Sequence, residues 1–222
     1  MDLATLRTAV VEGDRTAAVA LTRSALQEGV PARAVLEEGL IPAMATVGEL
    51  VQRQEYYIPE MLMAARAMQT CLALLRPALV AAGVQPLATA VVATVRGDLH
   101  DIGKNIVALL LEGAGFAVID LGVDCPPERV VTAVRTQGVQ LVCLSALLTT
   151  TLPAMRDIIA ALEAAGLRQQ VAVLVGGAAA TEDYAEEIGA DSYAPDAASG
   201  VTRAKELVAR LAAVQGGAGR ST

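Results

Sequence analysis

The chain has 222 residues and carries 24 acidic against 17 basic side chains, a formal net charge of −7 at pH 7. This length suits one or two domains, and the acidic balance argues against nucleic acid as a partner, because phosphate binding needs a basic surface. No apolar stretch approaches the roughly 18 residues of a membrane-spanning helix, and the first residues lack a signal-peptide pattern. The three cysteines are widely spaced in apolar surroundings, which is typical of a reducing compartment and not of a disulfide framework. We therefore expect a cytoplasmic protein with no membrane partner.

The first part of the chain, residues 2–82, is predicted to form helices only. Asp2 and Asp14 are candidate N-caps of the first two helices, because their side chains can accept hydrogen bonds from first-turn N–H groups. Pro31 and Pro59 suit the first turns of a third and a fourth helix. Four helices with short connections predict a small bundle, which we place at residues 1–86.

After Gly83 and Pro86 the pattern changes to short apolar runs that alternate with helical stretches. Such alternation predicts a parallel sheet covered by helices on both faces. We therefore predict an α/β protein whose second domain, residues 87–214, is a five-stranded, doubly wound, flavodoxin-like or Rossmann-like domain. Residues 215–222 are predicted to be a flexible tail. The predicted strands lie at about 88–95, 116–121, 140–145, 171–175 and 192–193, and the predicted helices at about 104–114, 127–137, 153–165, 181–188 and 197–214.

The loop after the first predicted strand contains His100, the only histidine in the chain. Asp98 lies two residues before it, and Gly103 opens the next helix at a point where a bulky ligand could approach. Open α/β sheets bind ligands outside the carboxyl ends of their strands. This loop is therefore the first candidate site. Lys104 is expected in the first turn of the helix, where it is also a candidate contact for a ligand phosphate or amide.

Two further strand ends carry polar or small residues. Ser145 and Leu147 follow the third strand, with hydroxyls from Thr149 to Thr151 beyond them, and Gly176-Gly177 follows the fourth strand. Residues 104–144 separate the first motif from the second, and residues 148–175 separate the second from the third. Because the carboxyl ends of parallel strands meet at one edge of a sheet, we expect the three motifs to lie together.

The motifs Asp-x-His-x-x-Gly, Ser-x-Leu and Gly-Gly at this spacing resemble those of the cobalamin-binding fold. The flanking segments, residues 97–107 (GDLHDIGKNIV) and 120–124 (DLGVD), are similar to the same family. Residues 47–68 of the helical part resemble the helical cap of methyl-carrying corrinoid proteins and of the matching methionine synthase module. The whole chain is most similar to the stand-alone corrinoid subunits of methanol, methylamine and methoxy-aromatic (O-demethylase) methyltransferase systems.

This resemblance implies a role for each matching residue. His100 becomes the metal ligand, bound to cobalt in place of the cofactor's own dimethylbenzimidazole base (base-off/His-on cobalamin). Asp98 accepts the other imidazole N–H, and Thr151 stands where relatives place a serine hydroxyl that bonds this aspartate; these three form the catalytic relay. Ser145 and Thr149 offer hydrogen bonds to the displaced nucleotide tail. The implied cofactor-binding set is Gly97, Asp98, His100, Asp101, Ile102, Gly103, Ser145, Leu147, Thr149, Gly176 and Gly177 in the second domain, where the last two leave room for the base, and Val51 and Ile58 in the cap, which shields the upper face.

The implied function is a corrinoid methyl carrier in one-carbon metabolism, with cobalt cycling between methylcobalamin and cob(I)alamin. Its implied partners are a substrate:corrinoid methyltransferase, an acceptor methyltransferase acting on tetrahydrofolate or a thiol, and a reductive activase; no separate substrate site is expected. The methyl donor, the acceptor and the oligomeric state cannot be read from the sequence. Two alternatives stay open: a cobalamin-dependent sensor, and a nucleotide- or phosphate-binding enzyme with His100 and Asp98 as an acid–base pair. The second alternative lacks a G-x-G-x-x-G or P-loop spacing.

Overall fold

The computed structural model describes residues 2–218, with side chains described through residue 215. The chain divides into two compact units. The first contains the chain up to Leu87 together with Leu109–Gly115, and the second contains Ala88–Ala108 and the chain from Phe116 onward. The sequence predicts a single boundary near residue 86, whereas the first unit also contains the later segment Leu109–Gly115. In the described part of the chain no helix is both long and apolar enough to cross a membrane.

The first unit contains the predicted helices. They are α1 (Leu3–Val11), α2 (Arg15–Gln27), α3 (Ala32–Ala34), a π-helical segment (Val35–Leu40), α4 (Ile41–Gln52) and α5 (Ile58–Ala81). The Asp2 and Asp14 carboxylates accept from the N–H groups of Ala4 at 2.8 Å and Ala17 at 2.9 Å, so both predicted N-caps are confirmed. Large aliphatic side chains fill the core of this unit; they include Leu6, Val10, Leu40, Val47, Met68 and Leu75.

The second unit is the predicted parallel α/β sheet. Its elements are β1 (Thr89–Thr94), the first part of α6 (Ile102–Gly113, of which the residues from Leu109 onward belong to the first unit), β2 (Ala117–Asp120), α7 (Pro127–Gln137), β3 (Leu141–Ser145), α8 (Pro153–Ala164), β4 (Ala172–Gly176), α9 (Glu182–Glu187), β5 (Ser192–Ala194) and α10 (Ala197–Ala218). All strands are parallel, in the order β2-β1-β3-β4-β5. Helix α10 ends four residues beyond Val214, so the predicted tail is helical at 215–218, and its remainder, 219–222, lies outside the described residues.

The register of the sheet brings the three motif loops to one edge. Thr94 at the end of β1 pairs with Ser145 at the end of β3, and Ser145 pairs with Gly176 at the end of β4. The direction of strand order reverses between β1 and β3, which makes their carboxyl ends the topological switch point of the sheet. The motifs Asp98–Gly103 and Ser145–Leu147 follow these two strands directly. The fold therefore places both where open α/β sheets bind ligands.

Candidate functional site

The carboxylate of Asp98 joins two of the motif loops and is completely buried. Its Oδ1 accepts the backbone N–H of His100 at 3.0 Å and lies 2.7 Å from Nδ1 of the same ring. Its Oδ2 accepts from the backbone N–H groups of Leu147 at 2.8 Å and Leu148 at 3.3 Å. The hydroxyl of Thr151 lies 2.9 Å from Oδ2 as well. The loops after β1 and β3 therefore meet on one carboxylate.

These hydrogen bonds determine the charge of Asp98. Burial alone raises the pKa of a carboxyl group, because it disfavours the ionised form. Here the N–H groups of His100 and Leu147, together with the side chains of His100 and Thr151, outweigh burial and hold the pKa of Asp98 well below its usual range. An ionised carboxylate can only accept hydrogen bonds. Nδ1 of His100 must therefore carry the proton that it shares with Asp98.

The opposite ring nitrogen of His100, Nε2, is the group that remains for a ligand. The His100 side chain is 52% exposed, and within residues 2–215 Nε2 has no hydrogen-bond partner. In a neutral imidazole with the proton on Nδ1, Nε2 presents a lone pair, which is the form that binds a metal ion. A carboxylate on the far side of a metal-binding histidine fixes its tautomer and raises its basicity.

A lone imidazole suits a metal that brings most of its own ligands. Metal sites built from protein side chains use three or four of them, whereas His100 is the only histidine in the chain. In the described part of the chain no three His, Cys, Asp or Glu side chains lie close enough together to hold a metal ion. The donor set therefore fits a chelated metal, such as the cobalt of a corrin ring.

The surroundings of His100 also fit a large, largely apolar ring. Leu99, Leu147 and Leu148 lie on the same two loops and Ile102 is the first residue of α6; these side chains are 42–74% exposed. Exposed apolar side chains grouped in this way mark ligand or partner sites. A Cβ added to Gly103 would meet no protein atom within 4 Å, so open space faces this glycine. The predicted point of ligand approach is therefore free of protein atoms.

Gly176 and Gly177 have a reason to be glycine that lies within the protein. Gly177 has φ of +103°, and a Cβ there would collide with the carbonyl oxygen of Ala146. A Cβ at Gly176 would lie 2.9 Å from the carbonyl oxygen of Ala194. Both collisions involve backbone atoms, which cannot move aside easily. A slot for the nucleotide base at these glycines thus stays a prediction beside this structural cause.

The other predicted site residues lie as follows. Ser145 is half-buried at the end of β3, and Thr149 is exposed in the next loop. Asp101 is exposed, and its carboxylate accepts from the side-chain amide of Asn105 at 3.0 Å. Val51 in α4 is half-buried and Ile58 at the start of α5 is 56% exposed. The assignment of Val51 and Ile58 as cofactor contacts rests on the resemblance alone and stays a prediction.

Two residues support the loop in ways that the sequence did not reveal. The buried hydroxyl of Thr94 donates to the carbonyl oxygen of His100 at 2.8 Å, although a threonine in a strand ordinarily signals only β-propensity. The Lys104 side chain is 3% exposed, with Nζ 2.5 Å from Asp120 at the end of β2 and 2.6 Å from Asn105. Lys104 was a candidate phosphate contact. Its ammonium group instead forms an ion pair that links the start of α6 to the end of β2.

Comparison with known proteins yields matches over both units. A family model described as a B12 binding domain matches residues 88–202, and a second model of the same description matches residues 3–76. Dimethylamine corrinoid protein 3 of Methanosarcina acetivorans is 44% identical over 179 residues, covering 81% of this chain and 84% of that protein.

Solved structures agree with these matches. A cobalamin-binding protein from Desulfitobacterium hafniense has a TM-score of 0.78 at 33% identity, covering 93% of this chain and 98% of that one. The methanol:cobalamin methyltransferase complex of Methanosarcina barkeri has a TM-score of 0.83 at 28% identity, covering 93% of this chain and 79% of that one.

Proposed function

The chain belongs to the B12-binding family of corrinoid proteins, and we propose that it carries methyl groups on cobalamin between a substrate-specific methyltransferase and an acceptor methyltransferase. The predicted family, the predicted fold and the predicted cobalamin cofactor are confirmed by the matches to both units. Cobalamin supplies a cobalt centre that alternately accepts and donates the methyl group. The protein's own part is to bind, orient and tune that centre.

The observation that carries the proposal is the bond between Asp98 and Nδ1 of His100. In the proposed mode Nε2 of His100 would ligate the cobalt, in place of the cofactor's own base. Asp98 holds the proton on Nδ1, which keeps the ring in the tautomer that can ligate. The hydroxyl of Thr151 and the N–H of Leu147 keep Asp98 ionised and in place. The proposed catalytic group is therefore His100, Asp98 and Thr151.

Other residues of the same edge have proposed binding roles. Leu99, Ile102 and Leu147 offer apolar surface to the corrin ring, and Gly103 leaves room for its approach. Ser145 and Thr149 are proposed to bond the displaced nucleotide tail. These assignments are supported by the position of each residue at the carboxyl ends of β1 and β3 and, for all but the half-buried Ser145, by exposure.

The partners are proposed from the relatives' names. A relative at 44% identity is named a dimethylamine corrinoid protein, and one structural neighbour is part of a methanol:cobalamin methyltransferase complex. We take a methylated amine as the first donor class to test, since the higher identity lies with the amine protein. A partner enzyme would select that donor. An acceptor methyltransferase using tetrahydrofolate or a thiol, and a reductive activase, complete the proposed system.

Cofactor binding tests the central claim. Cofactor-free wild type, His100→Ala and the control Glu163→Ala, an exposed position of α8, are mixed with hydroxocobalamin and desalted. Retained cobalt is then measured, together with the EPR spectrum of the reduced Co(II) form. We expect wild type and the control to retain cobalt and to show superhyperfine splitting from an axial protein nitrogen, which ¹⁵N-labelling of the protein alters. His100→Ala should lose that splitting. Equal retention and identical spectra for His100→Ala and wild type would refute the proposal.

A transfer assay separates a carrier from a sensor. The loaded, reduced protein is incubated with a dimethylamine-specific methyltransferase and isotope-labelled dimethylamine. We expect label to become bound to the protein and to leave it when an acceptor methyltransferase and its thiol are added. Loading of cobalamin without transfer from any methylated amine or methanol would contradict the carrier role.

A further inference from the structure

Asp124, in the loop after β2, contacts the backbone of the His100 loop at two points. Its carboxylate oxygen Oδ1 accepts the N–H of Gly97 at 2.7 Å. Its own N–H donates to the carbonyl oxygen of Asp98 at 3.0 Å. The Gly97–Asp98 segment is therefore held at both ends by a single residue from a neighbouring strand end.

The backbone of Asp124 is in a conformation that few residues adopt. Its φ is +48°, and only one other described residue that is not glycine, Gln54, has a positive φ. Aspartate and asparagine tolerate this left-handed region better than most residues, and glycine adopts it freely. Residues in such conformations persist where surrounding contacts hold them. Glycine could adopt this conformation equally well, whereas the hydrogen bond from the N–H of Gly97 needs a side-chain acceptor.

Three loops converge on Asp98 as a result. The loop after β3 binds the Asp98 carboxylate through Leu147 and Thr151. The loop after β2 binds the Asp98 backbone through Asp124. The carboxylate that lies 2.7 Å from Nδ1 of His100 is therefore held through its side chain by the loop after β3 and through its main chain by the loop after β2.

We infer that Asp124 is a positioning residue for the axial histidine. By holding the Gly97–Asp98 backbone it sets where the Asp98 carboxylate meets the imidazole, and so how well His100 ligates a corrinoid cobalt. The exposed Asp124 side chain acts through Asp98 and is not itself a cofactor contact. This inference rests on the proposed function, because it presumes that His100 is the axial ligand.

Two substitutions separate the side-chain bond from the backbone conformation. Asp124→Gly keeps the positive φ and removes the acceptor, while Asp124→Asn keeps both an acceptor oxygen and tolerance of the left-handed region. The matched control is Gln54→Gly, which introduces glycine at the other positive-φ position. Each protein is titrated with hydroxocobalamin, and the nitrogen splitting of the Co(II) form is recorded. In the cofactor-free proteins the amide proton shift of Gly97 is measured by NMR.

For Asp124→Gly we expect about tenfold weaker cobalamin binding, as is typical when a group behind a metal ligand is lost, and weakened nitrogen splitting. The Gly97 amide proton should move upfield, while the thermal unfolding temperature stays close to that of wild type. Asp124→Asn should restore the binding and the splitting, and Gln54→Gly should not change the splitting.

Wild-type affinity and splitting in Asp124→Gly would overturn the inference, and so would equal impairment of Asp124→Gly and Asp124→Asn. Failure of the proposed function is distinguishable, because wild type itself would then show no nitrogen splitting that depends on His100. If Asp124→Gly does not fold, an unchanged Gly97 amide shift in Asp124→Asn combined with lost ligation would equally overturn the inference.

Discussion

Gly103 and Gly177 offer a direct test of why a glycine occupies each position. A Cβ at Gly103 would meet no protein atom within 4 Å, whereas a Cβ at Gly177 would collide with the Ala146 backbone. Gly103 is the second residue of α6 and does not have a positive φ, while Gly177 has φ of +103°. Alanine at the first position should therefore obstruct only a ligand, and alanine at the second should obstruct the protein.

The magnitudes follow from these differences. Gly103→Ala should stabilise the cofactor-free protein by about 0.5–1 kcal/mol, because alanine loses less backbone entropy than glycine in a helix. A methyl group forced against a ligand costs about 1–3 kcal/mol, which corresponds to roughly fivefold to 150-fold in Kd. Gly177→Ala should destabilise the cofactor-free protein by about 2–5 kcal/mol, the sum of about 1–2 for the left-handed backbone and about 1–3 for overpacking.

Two measurements test the predictions for Gly103→Ala and Gly177→Ala. Urea unfolding of the cofactor-free variants gives the free energy of unfolding, and titration with hydroxocobalamin gives Kd. We expect Gly103→Ala to be more stable than wild type and to bind cobalamin worse. Wild-type affinity in Gly103→Ala would refute the reasoning that open space at this glycine accommodates the corrin. Wild-type stability in Gly177→Ala would refute the backbone argument for the second glycine.

Four further predictions concern the same unit. Asp98→Asn places an amide N–H₂ group among the hydrogen-bond donors that surround Asp98, and should lower the free energy of unfolding by about 2–4 kcal/mol. It should also weaken the nitrogen splitting of the Co(II) form. Unchanged urea curves would contradict this prediction. Thr151→Ser should bind cobalamin like wild type, whereas Thr151→Val should bind about tenfold worse in the same titration. Asp120→Ala should destabilise the cofactor-free protein by about 3 kcal/mol and Lys104→Met by about 1 kcal/mol. The first removes the carboxylate partner of an ammonium group that is 3% exposed, whereas the second leaves a carboxylate that is 44% exposed to water. The reverse order in urea unfolding would contradict this explanation. Burial raises the pKa of the Cys143 thiol to about 12, so this thiol ionises at lower pH in the unfolded state than in the folded state. The free energy of unfolding should therefore fall as pH rises above about 8.5. Urea curves compared between pH 7 and 10 should show a less steep fall in Cys143→Ala than in wild type.

The sequence alone was sufficient for the order and type of the strands and of most helices, although it did not predict the π-helical segment Val35–Leu40. Hydrophobic periodicity, β-branched runs and punctuation by Gly83 and Pro86 are local signals, and each describes a segment by its own residues. The N-caps Asp2 and Asp14 bond N–H groups two and three residues away, which is equally local. The motif loops were also identifiable, since each directly follows a predicted strand. The carboxyl ends of parallel strands lie at the same edge of a sheet, so these loops could be expected to lie together.

The bonds within the site depended on tertiary structure. Leu147 and Thr151 reach Asp98 across 49 and 53 residues of chain, and Lys104 reaches Asp120 across 16. Which N–H faces which carboxylate is set by strand register, because a shift of one residue turns every side chain to the opposite face.

The role of Asp124 shows the same division between local and long-range information. Its residue type could be read from the sequence, but its positive φ and its bond to Gly97 exist only where the loops after β1 and β2 come together. The residue that we propose as the metal ligand could thus be identified from the sequence. The charge of Asp98 and the tautomer of His100 are properties of the folded chain, because burial and hydrogen bonds from distant segments create them.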